Sequence, residues 1–537
     1  MTVARSAESV NAVVKAYDVR GVVGEQIDAD FVRDVGASFA RLMRGEGAER
    51  VVIGHDMRAS SPGLTGAFAE GVLAQGLNVV QIGLASTDEL YFASGRLDCP
   101  GAMFTASHNP ARYNGIKLCR ARALPVGQDT GLATITEELI GGVPEFDGPR
   151  GTATEQDLLD DYAEFLRGLV DLGDIRPLKV AVDAGNGMGG HTVPAVLGPV
   201  AQLTVEPLYF ELDGTFPNHE ANPLDPKNLV DLQRFVRETG ADIGLAFDGD
   251  ADRCFVVDER GEPVSPSAVT ALVAERELAK EPGATIIHNL ITSRAVPELV
   301  TELGGNPVRT RVGHSFIKAQ MAATGAIFGG EHSAHYYFRD FWGADSGMLA
   351  ALHVLAAVGG SVRPGGGSLR NHGGPADADI EHSGSVRPGG GSLRNHGGPA
   401  DADIEHSGSV RPGGGSPRHH AGPADAANEH SGSGKDGAGR ELTMSELAAA
   451  YASYAASGEI NSTVTDAKER TMAVVTAFEG RAVSIDRMDG VTVQLPDHAW
   501  FNLRASNTEP LLRLNVEARS QEEVDALVTE ILSIVRN

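Results

Sequence analysis

The sequence predicts an α/β protein of several domains that closes with a small α+β unit and carries one disordered insertion. Three observations predict it. Strand-like and helix-like segments alternate through most of the chain, the pattern changes after about residue 463, and a tandem repeat interrupts it with almost no core-forming residue. At about 150 residues per domain, 537 residues correspond to three or four domains.

Taken in order, residues 51–56 (VVIGHD) read as a buried strand, followed by a helix from about Pro62 to Gln75 and a strand at 78–83. Residues 102–107 (AMFTAS) form a third strand that runs into a polar turn with Pro110. A helix from about Glu155 to Val170 precedes the strand LKVAVDAG at 178–185. Residues 228–240 have helical periodicity and a glycine stop, and 242–247 (DIGLAF) return to a strand. The alternation recurs at TIIHNL, NPVRTRV and AIFGG. Beyond it, strands are expected near 473–478, 482–486, 491–495 and 511–518, then a terminal helix at 521–535.

From Ser361 a 24-residue unit, SVRPGGGSLRNHGGPADADIEHSG, occurs twice without change and a third time in degraded form, ending at Gly432. Each unit offers one Val, at most one Leu and one Ile, and no aromatic residue, too little to offset the entropy of ordering it. Residues 359–440 are therefore expected to be a disordered Gly/Pro/Ser-rich spacer, not a solenoid.

Charge and composition narrow the function. Lys and Arg total 45 against 72 Asp and Glu, a net charge of −27. This argues against nucleic acid and anionic membrane as main partners, though a local pocket can still take a small anion. The longest apolar run, near 348–358, is too short to span a bilayer, and residues 1–20 contain no apolar signal core. Three cysteines without metal-type spacing fit reduced thiols in a cytoplasmic enzyme.

Five segments could carry chemistry. In Thr105-Ala-Ser107-His108-Asn109-Pro110, Ser107 ends a strand in a polar turn; read alone, an ordinary turn serine is the better account, a covalent carrier the sharper one. Asp248-Gly-Asp250-Ala-Asp252-Arg253 brings three carboxylates together, which is costly without a cation. Hard oxygen ligands suit Mg²⁺ or Ca²⁺. Glu259 stands where a calcium loop has its twelfth ligand, but Arg253 occupies the position that needs glycine and a strand precedes the loop, so Mg²⁺ with an anionic partner is preferred. In Gly330-Glu331-His332-Ser333-Ala334-His335, alternation would set Glu331, Ser333 and His335 on one face, suited to sugar hydroxyls and proton transfer; a polar strand edge explains it equally well. Arg504-Ala-Ser506-Asn507-Thr508-Glu509-Pro510 could cradle a phosphate or be a polar loop. Gly185-Asn-Gly187-Met-Gly-Gly190 matches a dinucleotide-binding pattern, a weak signal in a chain with 66 glycines.

The first four loops, in this order, together with Lys15-Ala-Tyr17-Asp18-Val-Arg20-Gly21, resemble the α-D-phosphohexomutase superfamily, most closely its bacterial phosphomannomutase/phosphoglucomutase members. Asn507 favours the hexose enzymes over the phosphoglucosamine mutases, which remain an alternative beside a non-catalytic sugar-phosphate-binding protein. The resemblance implies four domains around a central cleft, three similar mixed α/β domains and a smaller α+β one, at about 1–150, 151–257, 258–462 and 463–537. It implies a mutase that interconverts hexose 6-phosphate and hexose 1-phosphate through phospho-Ser107 and a hexose 1,6-bisphosphate. Asp248, Asp250 and Asp252 would hold Mg²⁺ with a Ser107 phosphate oxygen. Tyr17, Arg253, His314, Glu331, Ser333, Arg504, Ser506, Asn507 and Thr508 would bind substrate. Arg20, His108, Lys117 and His335 would move protons or offset charge. The partner would be a phosphosugar, and the enzyme a cytoplasmic monomer or weak homo-oligomer. His332 and Ala334 stand where the sugar loop varies, which leaves mannose against glucose open.

Overall fold

A computed structural model describes residues 4–360, 441–505 and 511–537; the repeats and the SNTEP segment lie outside the described residues. Four sheets organise the described chain. The first has six strands in the order Val19–Val22, Tyr113–Cys119, Gly101–Phe104, Arg50–His55, Asn78–Leu84, Ala153–Glu155. The second runs Pro263–Val264, Cys254–Asp258, Ile243–Phe247, Leu178–Asp183, Leu203–Leu208. The third runs Asn306–Thr310, Thr285–Asn289, Phe328–Gly330, Tyr336–Phe338, Ala344–Asp345.

These three sheets share one plan. Strand 50–55 is parallel to 101–104, which turns back antiparallel into 113–119. Strand 178–183 is parallel to 243–247, which turns back into 254–258. Strand 285–289 is parallel to 328–330, which turns back into 336–338. The turn that closes each of these antiparallel pairs carries one of the first three polar motifs. The all-burial patterns of 243–247 and 254–258 fit strands covered on both faces, where hydrophobic runs need no alternation.

The fourth sheet is antiparallel throughout, ordered Ala455–Thr463, Leu511–Ala518, Trp500–Ala505, Val491–Gln494, Ser484–Asp486. Its alternation is strict: Leu512, Leu514 and Val516 pack with Val474, Phe478, Val524 and Ile531 of two helices, while Arg513, Asn515 and Glu517 take the other face.

The strand expected near 473–478 is an error: these residues end the helix Ala467–Phe478. The run TMAVVTAF has strand-like composition, but Val474, Val475 and Phe478 fall on one helical face that the sheet covers. Strands 455–463 and 500–505 went unread, whereas the helix Gln521–Val535 lies where expected. The apolar run near 348–358 is the buried helix Gly347–Val358. Among the described residues no helix is long and apolar enough to cross a membrane, and all three cysteines are buried free thiols.

Candidate active site

Ser107 sits in the turn after strand 101–104 with φ of +49°, in the left-handed region. Such a backbone persists only when its surroundings over-determine it. Here Arg58, a buried side chain, does so. Its guanidinium donates to the carbonyls of Ser107 and Asn109 at 2.8 Å, Pro110 at 3.0 Å and Tyr113 at 3.1 Å, and Asp56 neutralises it. The Ser107 hydroxyl donates to Asp248 Oδ2 at 2.8 Å and lies 3.2 Å from His108 Nδ1. Gly249 permits this approach, because a Cβ there would come within 2.4 Å of the Ser107 carbonyl oxygen.

Carboxylate oxygens of Asp248, Asp250 and Asp252 lie within 4.8 Å of one another. Lys117 Nζ, from strand 113–119, donates to Asp250 Oδ2 at 2.7 Å and Asp252 Oδ2 at 2.6 Å. Thr87 donates its hydroxyl to Asp250 Oδ2 at 2.6 Å and its N–H to the Asp250 carbonyl at 3.0 Å. Burial alone would raise the Asp250 carboxyl, but Lys117 overrides it and holds it below the usual range. Asp248 is pushed up by burial even though Arg253 opposes the shift. Lys117 is held as an ammonium ion: burial disfavours its charge, and Asp250 and Asp252 more than restore it.

The donor set fits a small divalent cation. Asp250 Oδ1 and Asp252 Oδ1 are buried with no hydrogen-bond partner among the described residues, and hard anionic oxygens are what Mg²⁺ takes. The calcium-loop alternative fails, because Glu259 lies beyond strand 254–258 and accepts from Ser445.

Arg253 joins the motifs. Its Nε donates to Asp248 Oδ2 at 2.9 Å, its Nη2 to His108 Nδ1 at 2.7 Å, and its backbone bridges to His335. His108 is thereby neutral with Nδ1 accepting; burial, then Arg253 and Arg20, push its pKa down. Arg20 donates to Asn109 Oδ1 at 2.7 Å and pairs with Asp18 at 2.6 Å.

The 330–335 motif is a tight turn and not the extended segment its alternation predicts: Glu331 N–H donates to the His335 carbonyl and Ala334 has φ of +64°. Glu331 is buried, accepting from Tyr337 at 2.7 Å and from Asn289 and the Gly313 N–H at 3.1 Å. Ser333 Oγ lies 3.1 Å from His335 Nδ1, and His335 Nε2 lies 3.7 Å from Asp252 Oδ1. The Gly313 contact ties in His314, whose ring meets Tyr17 edge-on at 5.1 Å. Burial, then Lys318, push the His314 imidazole down to about 3.

Arg504 is the penultimate residue of strand 500–505, on the fourth sheet; Ser506, Asn507 and Thr508 lie outside the described residues. Among the described contacts no hydrogen bond joins Arg504 to the Ser107 group. The glycine-rich 185–190 segment is explained without a nucleotide. A Cβ at Gly187 would meet the Gly249 carbonyl oxygen at 2.7 Å, and Met188 N–H donates to that oxygen at 2.9 Å, so the segment supports the aspartate loop from behind.

Family models described as phosphoglucomutase/phosphomannomutase match the chain four times: α/β/α domain I at residues 11–140, domain II at 160–261, domain III at 265–368 and the C-terminal domain at 459–534. The chain belongs to this family. As a phosphohexomutase of the α-D-phosphohexomutase superfamily, it has three α/β domains and a smaller C-terminal one. A phosphomannomutase from Escherichia coli is 35% identical over 532 residues, covering 97% of this chain and 98% of that one. Phosphohexose mutases from Xanthomonas campestris are 35% identical over 528 residues, with the same coverage. The crystal structure of a phosphoglucomutase/phosphomannomutase family protein from Burkholderia thailandensis superposes with a TM-score of 0.74 at 27% identity, covering 98% of each chain.

Two residues that support this phosphohexomutase's site escaped the sequence reading, Arg58 and Thr87. Both lie three residues past a first-sheet strand, at 50–55 and 78–84, and a polar cluster just beyond a strand was the available signal.

Proposed function

We propose that this phosphohexomutase interconverts hexose 6-phosphate and hexose 1-phosphate, of mannose, glucose or both, through a phosphoserine at Ser107 and a hexose 1,6-bisphosphate. The observation that carries the reading is the Ser107 hydroxyl 2.8 Å from Asp248, inside a triad of aspartates contributed by a different sheet. Phosphoryl transfer asks mainly for positioning and charge stabilisation, and this site concentrates both.

Asp248, Asp250 and Asp252 are the ligands of Mg²⁺ in this proposal, together with an oxygen of the Ser107 phosphate. When bound, the ion would supply positive charge beside the phosphate. Arg58 fixes the Ser107 turn, and Arg253 and Lys117 set positive charge beside it. A sugar hydroxyl oxygen attacks phosphorus, the bond from phosphorus to Ser107 Oγ breaks, and the hydroxyl proton passes to a base. His335 is that base here. Its Nε2 has no polar partner closer than 3.7 Å among the described contacts, whereas His108 Nδ1 already accepts from Arg253 and Lys117 is an ammonium ion. Arg20 anchors the turn through Asn109 and offsets charge. Glu331 and Ser333 accept from sugar hydroxyls, Tyr17 and His314 close the sugar's flank, and Arg504 with Ser506, Asn507 and Thr508 holds the phosphate that is not reacting. The bisphosphate then turns end over end, and its other phosphate returns to Ser107.

The four-domain division, at about 1–150, 151–257, 258–462 and 463–537, belongs to the same proposal, and the presence of four separate sheets supports it. So does a cytoplasmic location, supported by three buried free thiols. A coupled assay with mannose 1-phosphate and glucose 1-phosphate, primed with a trace of the bisphosphate, tests the reading. Turnover of either sugar that requires the primer is expected; failure with both sugars contradicts it.

A further inference from the structure

The glycine-rich segment 185–190 holds more than the aspartate loop. Asn186, buried within it, clasps a separate loop, residues 209–219. Its N–H donates to the Tyr209 carbonyl at 2.9 Å, and its own carbonyl accepts from the Asp213 N–H at 3.0 Å. Its side chain donates to the Glu211 carbonyl at 2.9 Å and accepts from Asn218 Nδ2 at 2.8 Å. Asn186 has φ of +60°, a region that Asn enters more readily than most residues.

A charged pair closes the same loop. Asp183 ends strand 178–183 and is buried. One of its oxygens accepts from the Gly185 N–H at 2.8 Å, and the other lies 3.0 Å from His219 Nε2. His219 Nδ1 lies 2.9 Å from the Glu220 carbonyl oxygen. Both partners are acceptors, so both ring nitrogens carry protons and the ring is an imidazolium. Burial alone would lower the imidazole, but Asp183 overrides it and holds it above its ordinary value. Tyr209 meets the ring edge-on at 5.5 Å. Asp231, on the helix Val230–Thr239, adds a weaker attraction while bonded to Tyr209 and Arg234.

The loop so held packs on the support of the serine. Gly214 lies against Arg58, where a Cβ would come within 2.7 Å of the arginine Cα. The Phe216 ring centre lies 5.1 Å from the Arg58 guanidinium, within cation–π range. Arg58 in turn gathers the carbonyls of the Ser107 turn. A continuous line of contacts thus runs from Asp183, on the second sheet, to Ser107, on the first.

We propose that His219 is a positioning residue for phosphoryl transfer: donating from both ring nitrogens, it pins loop 209–219, and the loop braces Arg58 and the Ser107 turn. This rests on the reading of Ser107 as the phosphate carrier. His219 touches no substrate and acts through Phe216 and Arg58. A turn held at positive φ needs its surroundings to fix it, and a displacement of about 1 Å arising far from the chemistry can cost on the order of 10²-fold in rate. The pair is complete below the ordinary histidine value of about 6.5 and is lost as the pH rises through the raised folded value, so the brace weakens toward alkaline pH.

The test compares kcat and KM of the full-length wild type and His219→Gln with the accepted hexose 1-phosphate, from about pH 6 to about pH 9. Gln keeps a donor for Asp183 but no charge. At about pH 6 the variant should lose about tenfold in kcat, with KM changed by less than about threefold. At about pH 9 the two enzymes should agree within about twofold, because the wild type has lost its own pair. Other titrations are common to both enzymes and cancel in the ratio, whereas a merely structural hydrogen bond would give a ratio constant with pH. Phe216→Leu removes the ring from Arg58, so adding His219→Gln to it should cost little further. If His219→Gln melts early, Asn218→Ala replaces it: it removes one bond from the same loop at an exposed position and should show a smaller loss of kcat with KM held. A constant ratio, additive losses in the double variant, or unchanged kcat in the loop variants overturns the proposal. The carrier reading fails separately, if hexose 1,6-bisphosphate leaves no phosphate on Ser107 of the wild type; a labelled wild type with a constant ratio sinks this proposal alone.

Discussion

Around Ser107 almost every polar atom has a fixed partner: four carbonyls of its turn and of strand 113–119 converge on Arg58, and the serine hydroxyl and Arg253 both point at Asp248. Around Arg504 the opposite holds. One carboxylate at 3.8 Å balances it, its Nε has no partner among the described residues, and the next residue is exposed. The first region is preorganised for charge that develops in transfer, where reorganisation at the moment of reaction would cost rate. In the second, Arg504 has one long ion pair among the described residues. In the proposed cycle a bisphosphate presents first one end and then the other, so the remote phosphate must be gripped in two orientations of the sugar. A rigid cradle would favour one of them.

That contrast predicts steep losses at the first region and shallow ones away from it. The largest effect belongs to Ser107→Ala, which removes the carrier while leaving the Arg58 network in place. Activity should fall about 10⁴-fold or more in the coupled assay, with a normal melting temperature. Asp250→Asn comes next. It removes one charge from the cation site, and kcat should fall on the order of 10²–10³-fold. A loss below tenfold would mean that the triad is a structural acidic turn.

Thr87→Val is milder and sharper in what it reports. Thr87 touches no substrate in this account; it orients Asp250 by a 2.6 Å hydrogen bond. Groups that orient metal ligands typically govern affinity by about 10- to 100-fold, so Mn²⁺ titrated by electron paramagnetic resonance should bind correspondingly more weakly. Unchanged metal binding would assign Thr87 to packing alone. The smallest effect is expected far from both regions. Deleting Ser361–Gly432 removes the repeats, which contain none of the proposed site residues, from between the helices Gly347–Val358 and Met444–Tyr451. Closing a shorter loop changes stability little, so activity and melting temperature should hold within error. Loss of activity would bring the repeats into the account.

How much of this was legible in the sequence follows from where the chemistry sits. Ser107, the three aspartates and Glu331 each lie in a turn between two apolar strands, where polar residues stand out, but only the aspartates point to chemistry on their own; Ser107 and Glu331 are singled out by the resemblance. Arg58 and Thr87 lie three residues beyond strands 50–55 and 78–84, among other polar residues, and only folding brings them to Ser107 and Asp250, 49 and 163 positions away. The helix 467–478 was misread because its β-branched residues carry a strand's composition, and only its packing against the sheet reveals its period.

The central claim is that Ser107 carries the phosphate between substrates. Its most direct test is to incubate the enzyme with hexose 1,6-bisphosphate labelled in both phosphates, remove the sugar, and map the label by intact mass and peptide sequencing. The account predicts one phosphate per chain, on Ser107 alone, lost on addition of unlabelled hexose 1-phosphate. A label on any other residue, or an enzyme that turns over while never holding a phosphate, would contradict it.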